Sequence, residues 1–209
     1  MTAKTKMGRP GTCPTALIEG IGSKTAAVRF ESAKTLVRMS ETEPELLYPH
    51  FDLFLAMLDH ENSILRWNAA QVLAGLASVD SEEKIEAALD KYLSPICGPE
   101  MIAAATAMQG AARIALAKPR LAGRLAAAIL WVRNAKYKTA ECRNVAIGHA
   151  IVSLGQFFHL LAGQDAAVAF VTAQLENPRP ATRKKAEAFL KARSRQSTVG
   201  SRPPSGSRC

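Results

Sequence analysis

The sequence predicts an all-α protein in which about five helix pairs stack in order as an α-solenoid. Three observations predict it. An arginine recurs in one context, as Val28-Arg29-Phe30-Glu31-Ser32-Ala33, Leu65-Arg66-Trp67-Asn68-Ala69-Ala70, Cys142-Arg143-Asn144-Val145-Ala146 and Thr182-Arg183-Lys184-Lys185-Ala186. These arginines stand 37, 77 and 40 residues apart, so the double gap has room for a further copy near Ala103, where the arginine is absent. A fixed period of about 40 residues marks stacked helical repeats. Composition agrees: 48% of residues are hydrophobic but only 6% aromatic, and the abundance of Ala and Leu favours helix. Finally, no segment shows the alternating, β-branched pattern of a strand.

Taken in chain order, residues 1–14 carry Lys4, Lys6 and Arg9 with no acid and read as a disordered basic arm. The repeat domain is expected over residues 15–195. Its first helix pair is short, 14–21 and 26–40, with a turn at Gly22-Ser23. The second opens at Thr42-Glu43-Pro44, an N-cap candidate, an acid and a proline in the order a helix start requires. Its first helix is expected over 44–58, with Leu47, Phe51, Phe54, Leu55 and Leu58 along one stripe. The turn Asp59-His60-Glu61-Asn62 leads into a helix over 63–77. The third pair is 81–93 and 100–117, broken by Ser94-Pro95 and Gly98-Pro99. The fourth is 119–133 and 139–161. The fifth is 164–175 and 181–195, separated by Glu176-Asn177-Pro178-Arg179-Pro180. Residues 196–209, rich in Ser, Pro, Arg and Gly, are expected to be a disordered tail.

The start of each second helix resembles a HEAT repeat of the HEAT/armadillo-like superfamily. The matching residues are Val28-Arg29-x-x-x-Ala33-x-x-Leu36, Leu65-Arg66-x-x-Ala69-Ala70-x-x-Leu73 and Thr182-Arg183-x-x-Ala186-x-x-x-Leu190. The preceding turns Leu58-Asp59-x-x-Asn62 and Leu175-Glu176-Asn177-Pro178 match as well. The resemblance covers roughly residues 15–195 and implies a right-handed αα superhelix, an armadillo-like helical fold. In that family the repeat arginine meets the acid of the preceding turn in a ladder between repeats, as Arg66 could meet Asp59. Such repeats serve scaffolds, transport factors and a few enzymes. Arg29, Arg66, Arg143 and Arg183 are accordingly read as structural, with contact to a ligand phosphate as the alternative.

Enzymatic readings find little in the sequence, and the chain is expected to be no enzyme and to hold no cofactor or metal. There is no Gly-rich phosphate loop and no GxSxG. HEAT-like hydroxylases that hold two iron ions use several His-Glu pairs, and this chain has one, His60-Glu61. The histidines, His50, His60, His149 and His159, have no metal-ligand spacing. A HEAT-like DNA glycosylase, with an acid and aromatics in a basic groove, is a third reading, but no acid matches Trp67 and Trp131. Cys13, Cys97, Cys142 and Cys209 are scattered without a CxxC, which suits reduced thiols in a cytoplasmic setting. The longest apolar run, 125–132, falls far short of the roughly 20 residues a membrane helix needs, and no apolar stretch follows the N-terminal lysines, so neither a membrane span nor a secretory signal is expected.

A non-enzymatic binding scaffold for a protein or peptide is therefore the leading expectation. In a solenoid the second helices usually line the inner surface. Counting 100° per residue, the face opposite the core carries Phe30, Glu31 and Lys34 in the first repeat, and Trp67, Asn68, Gln71 and Ser78 in the second. The same offset gives Ala104, Ala105 and Met108 in the third, Asn144, Val145, Gly148 and Ile151 in the fourth, and Lys184, Lys185, Ala188 and Lys191 in the fifth. Phe30, Lys34, Trp67, Asn68, Gln71, Asn144, Lys184 and Lys185 are the candidate partner contacts, Trp and Arg being frequent interface anchors. Packing of Phe30 and Trp67 against the next repeat is the alternative.

Charge supplies the second candidate surface. The net charge of +9 is uneven: residues 15–100 hold 7 basic and 14 acidic side chains, and residues 101–190 hold 12 and 4. Arg113, Lys118, Arg120, Arg124, Arg133, Lys136 and Lys138 form a basic patch around Tyr137. It is a candidate for nucleic-acid phosphates or an acidic protein, with a solvated helix face as the bland reading. The polarity also makes head-to-tail self-association possible.

Overall fold

The computed structural model describes residues 13–199, with side chains described through residue 194. Among the described residues the fold is all-α, every regular element being an α-helix or a 3-10 turn. The arm of residues 1–12 and the tail of 200–209 lie outside the described residues. Residues 196–199, which the sequence reading assigned to the tail, continue the last helix. No described helix is long and apolar enough to cross a membrane.

The chain packs as two compact units, divided between Tyr92 and Leu93. The first contains α1 (Pro14–Ile21), α2 (Ala26–Thr42), α3 (Pro44–Leu47), α4 (Phe51–Ala56), α5 (Ser63–Leu76) and α6 (Lys84–Ala87). Helix α7 (Leu89–Leu93) ends at the division. The long helices α2 and α5 lie side by side, α1 packs on α2, and α3 and α4 pack on α5. The core between them is apolar, with Leu36, Leu47, Phe51, Phe54, Leu65 and Leu73 almost wholly buried. Each such side chain contributes about 1.5–3 kcal/mol relative to exposure.

The segment 44–58 is not the single helix expected. A 3-10 turn, Tyr48–His50, separates α3 from α4. Pro49 at its centre has no N–H to donate and its ring crowds the preceding turn, which breaks the α ladder. The segment 81–93 also divides, into α6 and α7. Glu83 before α6 takes a left-handed conformation at φ 58°, and the carboxylate of Asp80 caps α6 by accepting from the Lys84 and Ile85 amides. Asp80 is buried, and the Tyr48 hydroxyl donates to it at 2.8 Å. Burial first, and then that carboxylate, push the Tyr48 phenol up to about 12.

The second unit contains α8 (Met101–Ala117), α9 (Ala122–Leu130), α10 (Ala140–Phe157), α11 (Asp165–Thr172) and α12 (Pro180–Val199). Helices α8, α10 and α12 lie side by side in chain order, with α9 packed on α8 and α10, and α11 on α12. The expected helices 119–133 and 164–175 are shorter than read, because both finish in 3-10 turns. The expected helix over 139–161 likewise ends at Phe157 and closes with the 3-10 turn Phe158–Leu160.

Those 3-10 endings are periodic. Met57–Asp59, Ser94–Cys97, Trp131–Asn134 and Ala173–Glu176 begin 37, 37 and 42 residues apart. Each stands a few residues before a long helix, so the period seen in the arginines is also written in the backbone.

Candidate binding surface on the long helices

The repeat arginine occupies one helical position, the fourth residue of α2, α5, α10 and α12. From there a guanidinium reaches back over the turn that precedes its helix. Arg29 donates to the Ser23 carbonyl at 2.8 Å, and Arg66 to those of His60 and Glu61 at 2.8 and 3.0 Å. Arg183 donates to Asn177 and Pro178 at 2.7 and 3.2 Å, and Arg143 to Arg133 at 2.9 Å. Carbonyls after a helix end lack intrahelical donors, and a fork of fixed N–H groups can supply them. The acid of the turn before α5, Asp59, holds Lys91 at 2.6 Å. The lone His-Glu pair is built into the same turn, where the His60 ring accepts from the Asn62 amide and Asn62 caps α5.

The third repeat lacks this arginine and closes its turn differently. The Tyr137 hydroxyl donates to the Ile96 carbonyl at 2.8 Å. Gly98, at φ 90°, lets the backbone of Lys136 approach so closely that a Cβ there would lie 2.5 Å from the Lys136 oxygen. Tyr137 therefore serves the fold rather than standing open in the basic stripe. Burial, and then Cys97, raise its phenol to about 12. The exposed aromatic in this stretch is Trp131, at 58%.

In the first unit α5 presents Ile64, Trp67, Asn68 and Gln71, spaced one helical turn apart, and all four are partly or fully exposed. Neighbouring α2 exposes Val28, Glu31 and Lys34, with Phe30 half-buried under the Arg29 guanidinium at 5.0 Å. The Trp67 Nε1–H is shielded from solvent and has no hydrogen-bond partner. The expected contact residues of α2 and α5 are thus partly or fully exposed on two helices that pack side by side.

In the second unit the expected face is displaced. Ala104, Ala105, Met108, Gly148 and Ile151 are buried. Helix α8 starts at Met101, so the residue in the arginine position is Ala104, one place later than the spacing suggested. With that register the partly or fully exposed stripe of α8 is Ile102, Thr106, Gln109, Arg113 and Leu116, and that of α10 is Val145, His149, Val152 and Gln156. Asn144 is turned to internal use: its side-chain oxygen accepts from Asn177 at 3.3 Å and its carbonyl accepts from the buried Thr182 hydroxyl at 2.8 Å. Helix α12 adds Lys184, exposed, and Lys185, half-buried. The stripes meet in a row: Gln109 Nε2 lies 3.4 Å from His149 Nδ1, and Lys185 crosses over Gly148. Burial, and then the Lys185 ammonium, hold the His149 imidazole below its usual value.

The residues of the basic patch all lie in the second unit. Arg113 is on α8 and Lys118 at its end. Arg120 and Arg124 flank the start of α9, and Arg133, Lys136 and Lys138 lie in the turns before α10. Arg120 also lines a groove of about 380 Å³ walled by Ala126, Leu130, Leu161 and Ala167. Among the described residues no group of three or more His, Cys, Asp or Glu side chains is placed to hold a metal ion. Cys13, Cys97 and Cys142 are free thiols.

No protein-family model matches this chain, and no curated protein matches it.

Proposed function

We propose that this chain is a HEAT-like α-solenoid that acts as a non-enzymatic binding scaffold, presenting the outward faces of its long helices to a protein or peptide. The observation that carries the reading is the stripe of Ile64, Trp67, Asn68 and Gln71 on α5, with Val28 exposed on neighbouring α2. Large apolar side chains stand exposed there beside amides. Anchoring residues in protein interfaces combine aromatic or apolar surface with polar groups at the rim. The arginines that could have met a ligand phosphate are engaged with backbone carbonyls, which supports a structural role for them. The free thiols suit a reducing, cytoplasmic setting.

The test is a retention experiment with immobilised full chain and an extract of the native host. Val28→Asp with Ile64→Asp changes two exposed positions and leaves stability within about 0.5 kcal/mol. The expected result is a polypeptide retained by the parent chain, insensitive to nuclease, and lost from the double variant. Equal retention by both chains contradicts the assignment of this face.

Binding of nucleic acid through the second unit is the second reading. It is favoured by Trp131, whose exposed indole adjoins Arg133, Lys136 and Lys138 in sequence. Bases stack on such aromatics while cations hold the phosphates. In that case affinity for generic DNA falls steeply with salt, and Lys136→Glu with Lys138→Glu abolishes it. Negligible binding at low salt removes this reading.

A further inference from the structure

We propose that Gln109, His149 and Lys185 form a subsite for the carboxylate of an acidic residue in a bound peptide, with Val145 and Val152 receiving that residue's apolar neighbours. The inference rests on the scaffold reading and specifies the chemistry of its partner.

Three helices supply the subsite. Helix α8 brings Gln109, α10 brings His149, and α12 brings Lys185. The Gln109 amide nitrogen, a donor only, lies 3.4 Å from His149 Nδ1. That pairing calls for the neutral tautomer in which Nδ1 accepts and Nε2 carries the proton. Lys185 reaches the row because Gly148 has no side chain: a Cβ there would sit 3.3 Å from Nζ and 3.4 Å from Cδ of the lysine. Any larger residue at 148 crowds the lysine stem.

The donors the row offers to a ligand are an ammonium, an imidazole N–H and an amide N–H. An acceptor-only group with one negative charge matches them, which describes a carboxylate. With His149 neutral the row holds a single cation, so a doubly charged phosphate would stay half compensated. Lys185 forms no ion pair among the described residues, and residues 93–194 hold 14 basic side chains against 5 acidic. The helix stripes supply the rest of the fit. Val145 and Val152 lie one turn to either side of His149 on α10, and Val152 is exposed. A peptide crossing the helices there meets apolar surface before and after the charged row. Charge-assisted hydrogen bonds strengthen the contact and give it direction.

The test uses the immobilised full chain and a phage-displayed library of random dodecapeptides. The expected result is a set of selected peptides that share Asp or Glu next to apolar residues. The best of them loses about tenfold in affinity on Lys185→Gln, and similarly when its own acid is replaced by the amide. Gln109→Glu, a change at an exposed position that places a repelling carboxylate in the row, weakens it as well. In NMR spectra the His149 ring signals move on addition of the acidic peptide and stay in place with its amide form. Selected peptides that lack acids, or that bind the Lys185→Gln chain as tightly as the parent, overturn the subsite while leaving the scaffold reading intact. A library from which the chain selects nothing above an uncoated surface overturns both.

Discussion

The repeat arginine carries the most information of any residue in this chain, and its work is local. Placed at the fourth position of a long helix, its guanidinium reaches the carbonyls of the preceding turn, five or six residues back for Arg29, Arg66 and Arg183. Arg183→Ala should destabilise the second unit by about 1–2 kcal/mol, because the Asn177 carbonyl belongs to a largely buried residue and loses its donor. For a chain of this size that lowers Tm by about 2–4 °C per kcal/mol, readable by calorimetry. A Tm equal to that of the parent chain would show the bond to be incidental.

His149 gives a second prediction at this scale. Its folded pKa lies below the ordinary value of 6.5, through burial and then Lys185, so the unfolded chain binds the proton more readily. Stability from this group is present above pH 6.5 and declines as pH falls through the lower folded value. Urea unfolding between pH 7.5 and 5 should show a smaller decline for His149→Gln than for the parent. Identical slopes would place the imidazole in a solvent-like environment. The sequence pointed to Lys185 but passed over Gln109 and His149. For Gln109 the reason is that the missing arginine left α8 without a register mark, and one residue is 100° of helix rotation.

Elements were legible in proportion to their length. The five long helices carry small residues for close packing, four of them the arginine and two a side-chain cap (Asn62 before α5, Thr139 before α10), and their starts agree with the sequence reading to within a residue. The first short helix, α1, was read with its observed bounds, but those preceding α5, α8, α10 and α12 were read as longer than they are. A stripe of Leu and Phe persists through a 3-10 turn, whereas Pro49 and the periodic 3-10 endings interrupt the α ladder. Tyr137 was legible only as an aromatic among lysines. Its role needs Ile96, 41 residues away in sequence, and a contact of that range leaves no local pattern.

The same element yields a sharp test. Gly98→Ala forces a left-handed conformation on a residue with a Cβ and drives that Cβ against the Lys136 backbone oxygen. The cost should be at least about 1–3 kcal/mol, since backbone, unlike a flexible side chain, cannot swing aside. Chemical denaturation of the variant measures it, and a change below about 0.5 kcal/mol would mean that the loop carrying Lys136 shifts freely.

For the whole molecule the informative property is the division of charge. Residues 13–92 hold 7 basic and 13 acidic side chains, while residues 93–194 hold 14 and 5. Opposite charge on the two units of different copies favours head-to-tail contact, which does not close on itself unless the rotation permits. Sedimentation at about 10 mM salt, where the screening length is about 30 Å, should show larger species that dissociate at about 1 M, where it is about 3 Å. A monomer at both concentrations removes the idea.

The faces of the long helices are what this protein is proposed to offer its partner, and site-specific photo-crosslinking reads them directly. A photoreactive amino acid is placed at Gln71 or Gln109, on the long helices, and for comparison at Glu45 or Ala169, exposed on α3 and α11. Irradiated in the native host, the first two positions should yield a crosslinked polypeptide and the second two should yield none. Adducts from Glu45 and Ala169 alone, or adducts that disappear with nuclease, would contradict the proposal.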